Sequence, residues 1–204
     1  MTSEIRLLLA DDQALVRGAL AALLDLEPDL NVVAQVGRGD AVVNAAREFG
    51  VDVCLLDIEM PGASGIEAAA ALRRYLPGVH SLIVTTFGRP GYLRRAIDAG
   101  ASGFVVKDTP ANELADAVRR VHAGLRVIDP TLATESLTSG DNPLTPRESE
   151  VLTAALSGST VATIAAEVHL SAGTVRNHLS SAIGKTGTTT RAEAARVARE
   201  RGWI

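Results

Sequence analysis

Three carboxylates, a hydroxyl and an ammonium fall at intervals that let one crevice collect them. Asp11 and Asp12 follow the apolar run at residues 5–10, Asp57 closes the run at 53–57, Thr85 and Thr86 follow the run that starts at 81, and Lys107 closes the run at 103–107. Carboxylates held close together repel unless a cation joins them, and hard oxygen ligands kept partly hydrated suit Mg²⁺. A compact ammonium and a hydroxyl beside them can meet phosphate oxygens. The set therefore has the chemistry of a carboxylate that accepts a phosphoryl group, with Asp57 as the nucleophile. The plainer alternative is an acidic rim without function. Lys107 is one of only two lysines beside 18 arginines. In a chain so biased to Arg, a Lys at this position points to a site that needs one.

For these groups to meet, the elements that carry them must end at one edge. Each apolar run has strand length, and segments of helical period lie between them. Val16, Leu20, Leu23 and Leu24 form one stripe; Val42, Val43, Ala46 and Phe49 the next; Ile66, Ala69, Leu72 and Leu76 a third. A weaker fourth runs through Leu93, Ala96 and Ile97, and a fifth through Leu114, Val118 and Val121. Gly50 and Gly100 stand where helices should stop, and Thr109-Pro110 reads as an N-cap followed by the first helical residue. Strands apolar throughout, alternating with helices, imply a parallel sheet covered on both faces. Five such units predict a flavodoxin-like five-stranded α/β fold of order 2-1-3-4-5, whose ligand crevice lies where strands one and three part. No GxGxxG or GxxxxGK[ST] loop follows the first run, which argues against a dinucleotide or P-loop enzyme.

The whole chain has 204 residues, 47% of them hydrophobic and 22% charged, which suits one or two folded domains rather than disorder. The single cysteine, Cys54, excludes an internal disulfide and a cysteine zinc cluster. The N-terminus lacks the pattern of a secretory leader, and no apolar run approaches the ~20 residues of a membrane span. A cytoplasmic location is expected. Residues 1–125 hold 12 basic and 16 acidic side chains, whereas residues 141–204 hold seven and six. Within 168–191, Arg176, Lys185 and Arg191 occur with no acid. Such a stretch suits either a solvated helix face or contact with nucleic acid.

Residues 125–143 concentrate Thr, Ser, Gly, Asp and Pro and read as a linker with at most one helical turn. From Leu144 the pattern is helical. Thr145-Pro146-Arg147-Glu148 is a capping box with Pro at the first position. Val151, Leu152, Ala155 and Leu156 form its buried stripe, and Gly158 stops it. A second helix spans Thr160–Val168, and Ser171 caps a third whose inward stripe is Val175, Leu179, Ala182 and Ile183. Gly173, Arg176, Asn177, Ser180 and Gly184 are left outside. A fourth helix covers about Thr190–Arg201. Two short helices joined by a tight turn, the second with a small, polar, acid-free outer face, suit a DNA major groove. Arg can read guanine and Asn adenine; Ser180 can reach base or phosphate, and Lys185 phosphate. A helical protein-docking module is the alternative.

The motifs Leu9-Ala10-Asp11-Asp12-Gln13, Leu56-Asp57-Ile58-Glu59-Met60-Pro61-Gly62, Thr85-Thr86 and Ala99 through Lys107 resemble the signatures of two-component receiver domains. Leu144 through Glu148, Ile164-Ala165 and Ser171 through Lys185 resemble the LuxR-type helix-turn-helix. Together they resemble a NarL/FixJ-family response regulator, and Thr86 through Tyr92 is similar to its DesR-type branch, which works with a membrane sensor kinase. The resemblance implies a receiver at 1–124, a linker at 125–141 and a DNA-binding domain at 142–204. It implies Asp57 as phosphoacceptor, with Thr85 and Lys107 as its catalytic partners and Thr85 and Phe104 as a switch pair. Mg²⁺ would be bound by Asp12 and Asp57 side chains and the Glu59 main chain, with Asp11 holding its water shell. Thr174, Arg176, Asn177, Ser180 and Lys185 would face DNA. A sensor histidine kinase, paired DNA half-sites and a second copy of the chain on phosphorylation are the implied partners, with no membrane insertion and no enzymatic turnover. Glu59 and Phe87, two residues after Asp57 and Thr85, would set phosphoryl lifetime.

This chain also departs from the family pattern. Asp108 follows Lys107 where many receivers have Pro; Ser180 stands where relatives are often basic; Thr163, Thr186 and Thr188 replace a frequent Glu and two apolar residues. An aspartyl-phosphate hydrolase of the haloacid dehalogenase type is the enzymatic rival, but it wants Asp where Glu59 stands. The other rival is a receiver that acts by docking to protein without DNA binding.

Overall fold

Strand β1 (Ile5–Ala10) leads into helix α1 (Ala14–Leu24), and the same alternation continues through the first half of the chain. Next come β2 (Leu30–Val36), a 3₁₀ turn (Gly39–Ala41) and α2 (Val42–Glu48). Then follow β3 (Val53–Leu56), α3 (Gly65–Tyr75), β4 (His80–Thr85), α4 (Pro90–Ala99), β5 (Gly103–Val106), α5 (Ala111–His122) and β6 (Val127–Ile128). The second half contains α6 (Pro146–Ala155), α7 (Val161–Glu167), α8 (Ala172–Thr186) and α9 (Arg191–Glu200). This is a computed structural model, and it describes residues 4–86, 88, 90–130, 132–134 and 142–204. Phe87 and linker residues 135–141 lie outside the described residues. The chain divides into two units, residues 1–88 with 93–133, and residues 89–92 with 134–204.

Among the described residues the first unit's sheet is parallel, in the order β2-β1-β3-β4-β5-β6. The expected order holds for the first five strands. The expected count of five is corrected to six: Val127 and Ile128, read as linker, pair with Gly103 and Phe104 on β5. A two-residue strand has no periodicity to detect, and its pairing depends on a tertiary edge that the sequence does not announce.

Alternation along the strands divides the core. Leu7, Leu9, Val53, Leu55, Leu82, Val84 and Val105 pack with Ala21 and Leu24 of α1 and with Leu114, Val118 and Val121 of α5. Their neighbours Leu8, Leu56, Ile83 and Phe104 point to the other face, where Val42, Ala46, Ala69 and Leu72 are also buried. Three predicted stripe members are corrected. Leu23, Phe49 and, at the end of α6, Leu156 are exposed, while Ala21 is buried in α1; helix ends let a large side chain turn outward. Pro110 is itself the cap of α5, one residue later than predicted. Gly50 and Gly100 do close helices, both with positive φ.

In the second unit all four helices start at a hydroxyl cap: Thr145, Thr160, Ser171 and Thr190 each accept from a main-chain N–H three residues on. Val151, Leu152, Ile164, Val175, Leu179, Ala182, Ala194, Ala198 and Trp203 form its core. Ile183 packs against that core, so the predicted inward stripe of α8 is the observed one.

Candidate functional site

The main chain places the acidic crevice before any side chain is considered. Asp11, Asp57 and Lys107 are each the first residue beyond a strand, and each is still held by the sheet. Asp11 N–H donates to the Val36 carbonyl at 3.1 Å, Asp57 N–H to Ala10 at 2.8 Å, and Lys107 N–H to Thr85 at 2.8 Å. Because the strands are parallel, these residues emerge at one edge. Gly65 opens α3 directly against Asp57: a methyl added there would come 2.0 Å from the Asp57 carbonyl oxygen. Only a residue without Cβ lets the helix pack so close.

Carboxylate oxygens of Asp11, Asp12 and Asp57 lie within 4.8 Å of one another. Lys107 Nζ is 2.6 Å from Asp11 Oδ2 and 3.2 Å from Asp57 Oδ2. Asp11, Asp57 and Thr85 are buried, whereas Asp12 is exposed. Three carboxylates against one ammonium leave excess negative charge in a poorly hydrated place. Burial pushes the Asp57 carboxyl above its ordinary range, Lys107 opposes that, and the charge of Asp11 adds to it. For Lys107, burial works against the ammonium, but Asp11 and Asp57 outweigh it and raise its pKa. A cavity of about 120 Å³ opens beside the cluster, lined by Asp12, Gln13, Asp57, Glu59, Thr85 and Thr86. The donors are all hard oxygens with one solvent-facing member, so the set fits a partly hydrated divalent cation.

Thr85 and Phe104 lie on the same face of neighbouring strands. Ile83 pairs with Phe104 and Thr85 with Val106, which makes Thr85 and Phe104 diagonal neighbours. Thr85 and Phe104, the expected switch pair, are therefore close enough to be coupled. The Phe104 ring is enclosed, 1% exposed. Cys54, buried, has its thiol pKa pushed up to about 12 by desolvation, which makes it an inert core residue.

The second candidate surface is α8. Arg176, Asn177 and Ser180 are exposed on one side, opposite Val175, Leu179 and Ala182. Thr174 is half-buried; its N–H donates to Ser171 Oγ at 3.1 Å and its hydroxyl lies 2.8 Å from the same atom. Lys185 is not free on this surface. Its ammonium donates to Glu148 Oε2 at 2.7 Å, and Ser181 donates to Glu148 Oε1 at 2.6 Å. A phosphate contact from Lys185 must use its remaining donors.

The capping box of Thr145 and Glu148 was legible in the sequence, but this second use of Glu148 was not. Arg17 and Gly65 were also missed. Arg17 is a permanent cation in an otherwise uncharged helix, and that was the available signal.

Comparison with known proteins finds a domain family in each half of the chain. The response regulator receiver domain family matches residues 7–119, and the bacterial regulatory proteins of the luxR family match 142–198. The chain is 45% identical to the uncharacterized transcriptional regulatory protein YvfU of Bacillus subtilis, covering 98% of this chain and 100% of the relative. It is 44% identical to the transcriptional regulatory protein DesR of the same organism, covering 98% and 99%. The crystal structure of response regulator ChrA from a heme-sensing two-component system superposes with a TM-score of 0.60 at 34% identity over 100% of both chains. Among the described residues no helix is long and apolar enough to cross a membrane. A receiver sheet with its acidic edge, followed by a LuxR-type helical domain, makes this chain a member of the NarL/FixJ-type response regulators, which regulate transcription in two-component systems.

Proposed function

We propose that Asp57 is the phosphoacceptor of this response regulator, and that its phosphorylation by a sensor histidine kinase promotes dimerisation and sequence-specific DNA binding. The observation that carries the reading is the meeting of Asp11, Asp12 and Asp57 within 4.8 Å, with Lys107 3.2 Å from Asp57. A carboxylate oxygen of Asp57 attacks the phosphorus of phosphohistidine, the P–N bond breaks, and the imidazole nitrogen leaves with the electron pair. The developing charge on the phosphoryl oxygens is met by Lys107 and by the Thr85 hydroxyl. The Asp12 and Asp57 carboxylates and the Glu59 main-chain oxygen would hold Mg²⁺, with Asp11 on its water shell. When bound, the ion neutralises charge at the transferring group. Phosphorylation then adds negative charge and acceptor oxygens at the β3 edge. Thr85 turns toward them, and the adjacent Phe104 repacks.

A receiver domain over 1–124 and a DNA-binding domain over 142–204 draw support from the family matches at 7–119 and 142–198, while β6 and the first unit's end at 133 extend the receiver into the expected 125–141 linker. In the second domain Arg176 and Asn177 read bases, Thr174 and Ser180 contact the site, and Lys185 contacts phosphate with the donors Glu148 leaves free. Residues 141–204 carry nearly balanced charge, so one domain alone binds weakly. Two domains on paired half-sites gain effective concentration. We assign the chain to the cytoplasm, where its kinase and its DNA meet it, and give it no turnover of its own beyond loss of the phosphoryl group.

Intact-mass measurement with Mg²⁺ and acetyl phosphate, beside Asp57→Asn and with sizing of each product, tests the reading. One added phosphoryl group on wild type alone, with a shift toward dimer, is expected. Equal labelling of Asp57→Asn would overturn it, and steady hydrolysis of a small phosphoester would revive the enzymatic alternative.

A further inference from the structure

We propose that Arg17 is a positioning residue for the acidic crevice: it fixes the turn between β1 and α1 that presents Asp11 and Asp12 to a divalent cation. The inference rests on reading that crevice as a cation and phosphoryl site. Arg17 sits on the first turn of α1, and its Nη1 donates to the main-chain oxygen of Asp11. The Asp11 N–H is already committed to Val36, so both polar main-chain atoms of Asp11 are held. Asp11 Oδ1 accepts from Gln13 N–H at 2.8 Å, and the Arg17 N–H donates to the Gln13 carbonyl at 3.0 Å. The turn is closed on itself, and Arg17 contributes two of the closing bonds, one from its main chain and one from its side chain.

The guanidinium does more than a carbonyl partner requires. Arg17 Nε is buried and, among the described residues, has no hydrogen-bond partner. Leaving a buried donor unspent on a half-buried cation costs desolvation free energy. The cost is offset when the cation lies next to an anionic group. A void of about 10 Å³ is lined by Asp11, Arg17, Asp57 and apolar residues that include Leu9, Leu20 and Leu55, so Arg17 packs in the layer from which Asp11 and Asp57 emerge. Arg17 touches no reacting atom. It acts through Asp11, by holding the main chain from which both carboxylates project.

The test is calorimetric titration of the full-length protein with MgCl₂ for wild type, Arg17→Met and Arg17→Lys, after circular dichroism in EDTA confirms folding. Loss of a group that orients metal ligands weakens affinity about tenfold or more, and that is the expectation for Arg17→Met. Arg17→Lys, which keeps the charge and one donor, is expected to recover part of it. If Arg17→Met does not fold, Arg17→Gln is titrated in its place. A folded variant with wild-type Mg²⁺ affinity overturns the proposal. Acetyl phosphate labelling against Mg²⁺ concentration gives a second readout: the half-saturating concentration rises while the plateau rate stays. A reduced plateau with unchanged affinity also overturns the positioning role. Wild type that shows the affinity difference from its variants but takes no label overturns the phosphoryl reading alone.

Discussion

Glu148 shows how much one carboxylate can organise. It caps α6 through Thr145, then reaches Ser181 and Lys185 on α8, and it is 4% exposed. Burial alone would raise its pKa, but the bonds from Lys185, Ser181 and Thr145 outweigh burial and lower it from 4.5 to about 2. A group depressed in the folded state stabilises the fold fully above its unfolded value and loses that contribution as pH falls through its folded value. The contribution is therefore complete above pH 4.5 and disappears toward pH 2. Glu148→Gln is expected to cost about 1–3 kcal/mol at neutral pH and to flatten the acid dependence of unfolding. Trp203, the single tryptophan, is buried in this unit's core and reports it by fluorescence. Retention of the wild-type acid profile in the variant would contradict the assignment. The capping role was readable because Thr-Pro-x-Glu is a local pattern. The bonds to Ser181 and Lys185 span 33 and 37 residues and were not.

At the scale of elements, α8 is the helix proposed to read DNA. Its inward stripe was legible because small and aliphatic residues recur at helical spacing, and the outward set followed by exclusion. Arg176 and Asn177 stand on consecutive positions of the exposed side. Replacing either with Ala is expected to weaken specific binding by about 1–3 kcal/mol and to relax preference at one base pair. Lys185→Ala, already paired with Glu148, is expected to change the salt slope less than a free phosphate contact would. Binding measured across a salt series on matched and mismatched sites checks both. The strands were equally legible, since buried parallel strands read as continuous apolar runs. β6 was not, because two residues gain strand character only from the edge of β5.

Over the whole molecule, the receiver sheet and the helical unit each bury apolar clusters of their own, and the two described clusters share no residue. A single unfolding free energy does not describe such a protein. On the proposed reading, Mg²⁺ binding only the folded crevice would stabilise the first unit by about 2.7 kcal/mol at a hundredfold excess over its Kd. The far-UV transition of the receiver should therefore rise with Mg²⁺ while the Trp203 transition moves less. Equal movement of both would show that the two cores unfold together. The crevice was legible because its residues follow strands one by one; what the sequence hid was the packing that keeps the edge in place. Gly65 belongs to that packing, with the Asp57 carbonyl where any side chain would go. A search in living cells for alleles deaf to the signal would therefore recover changes at codon 65 beside those at codon 57. Such alleles would look like scaffold damage, although the lesion lies at the main chain of the proposed phosphoacceptor.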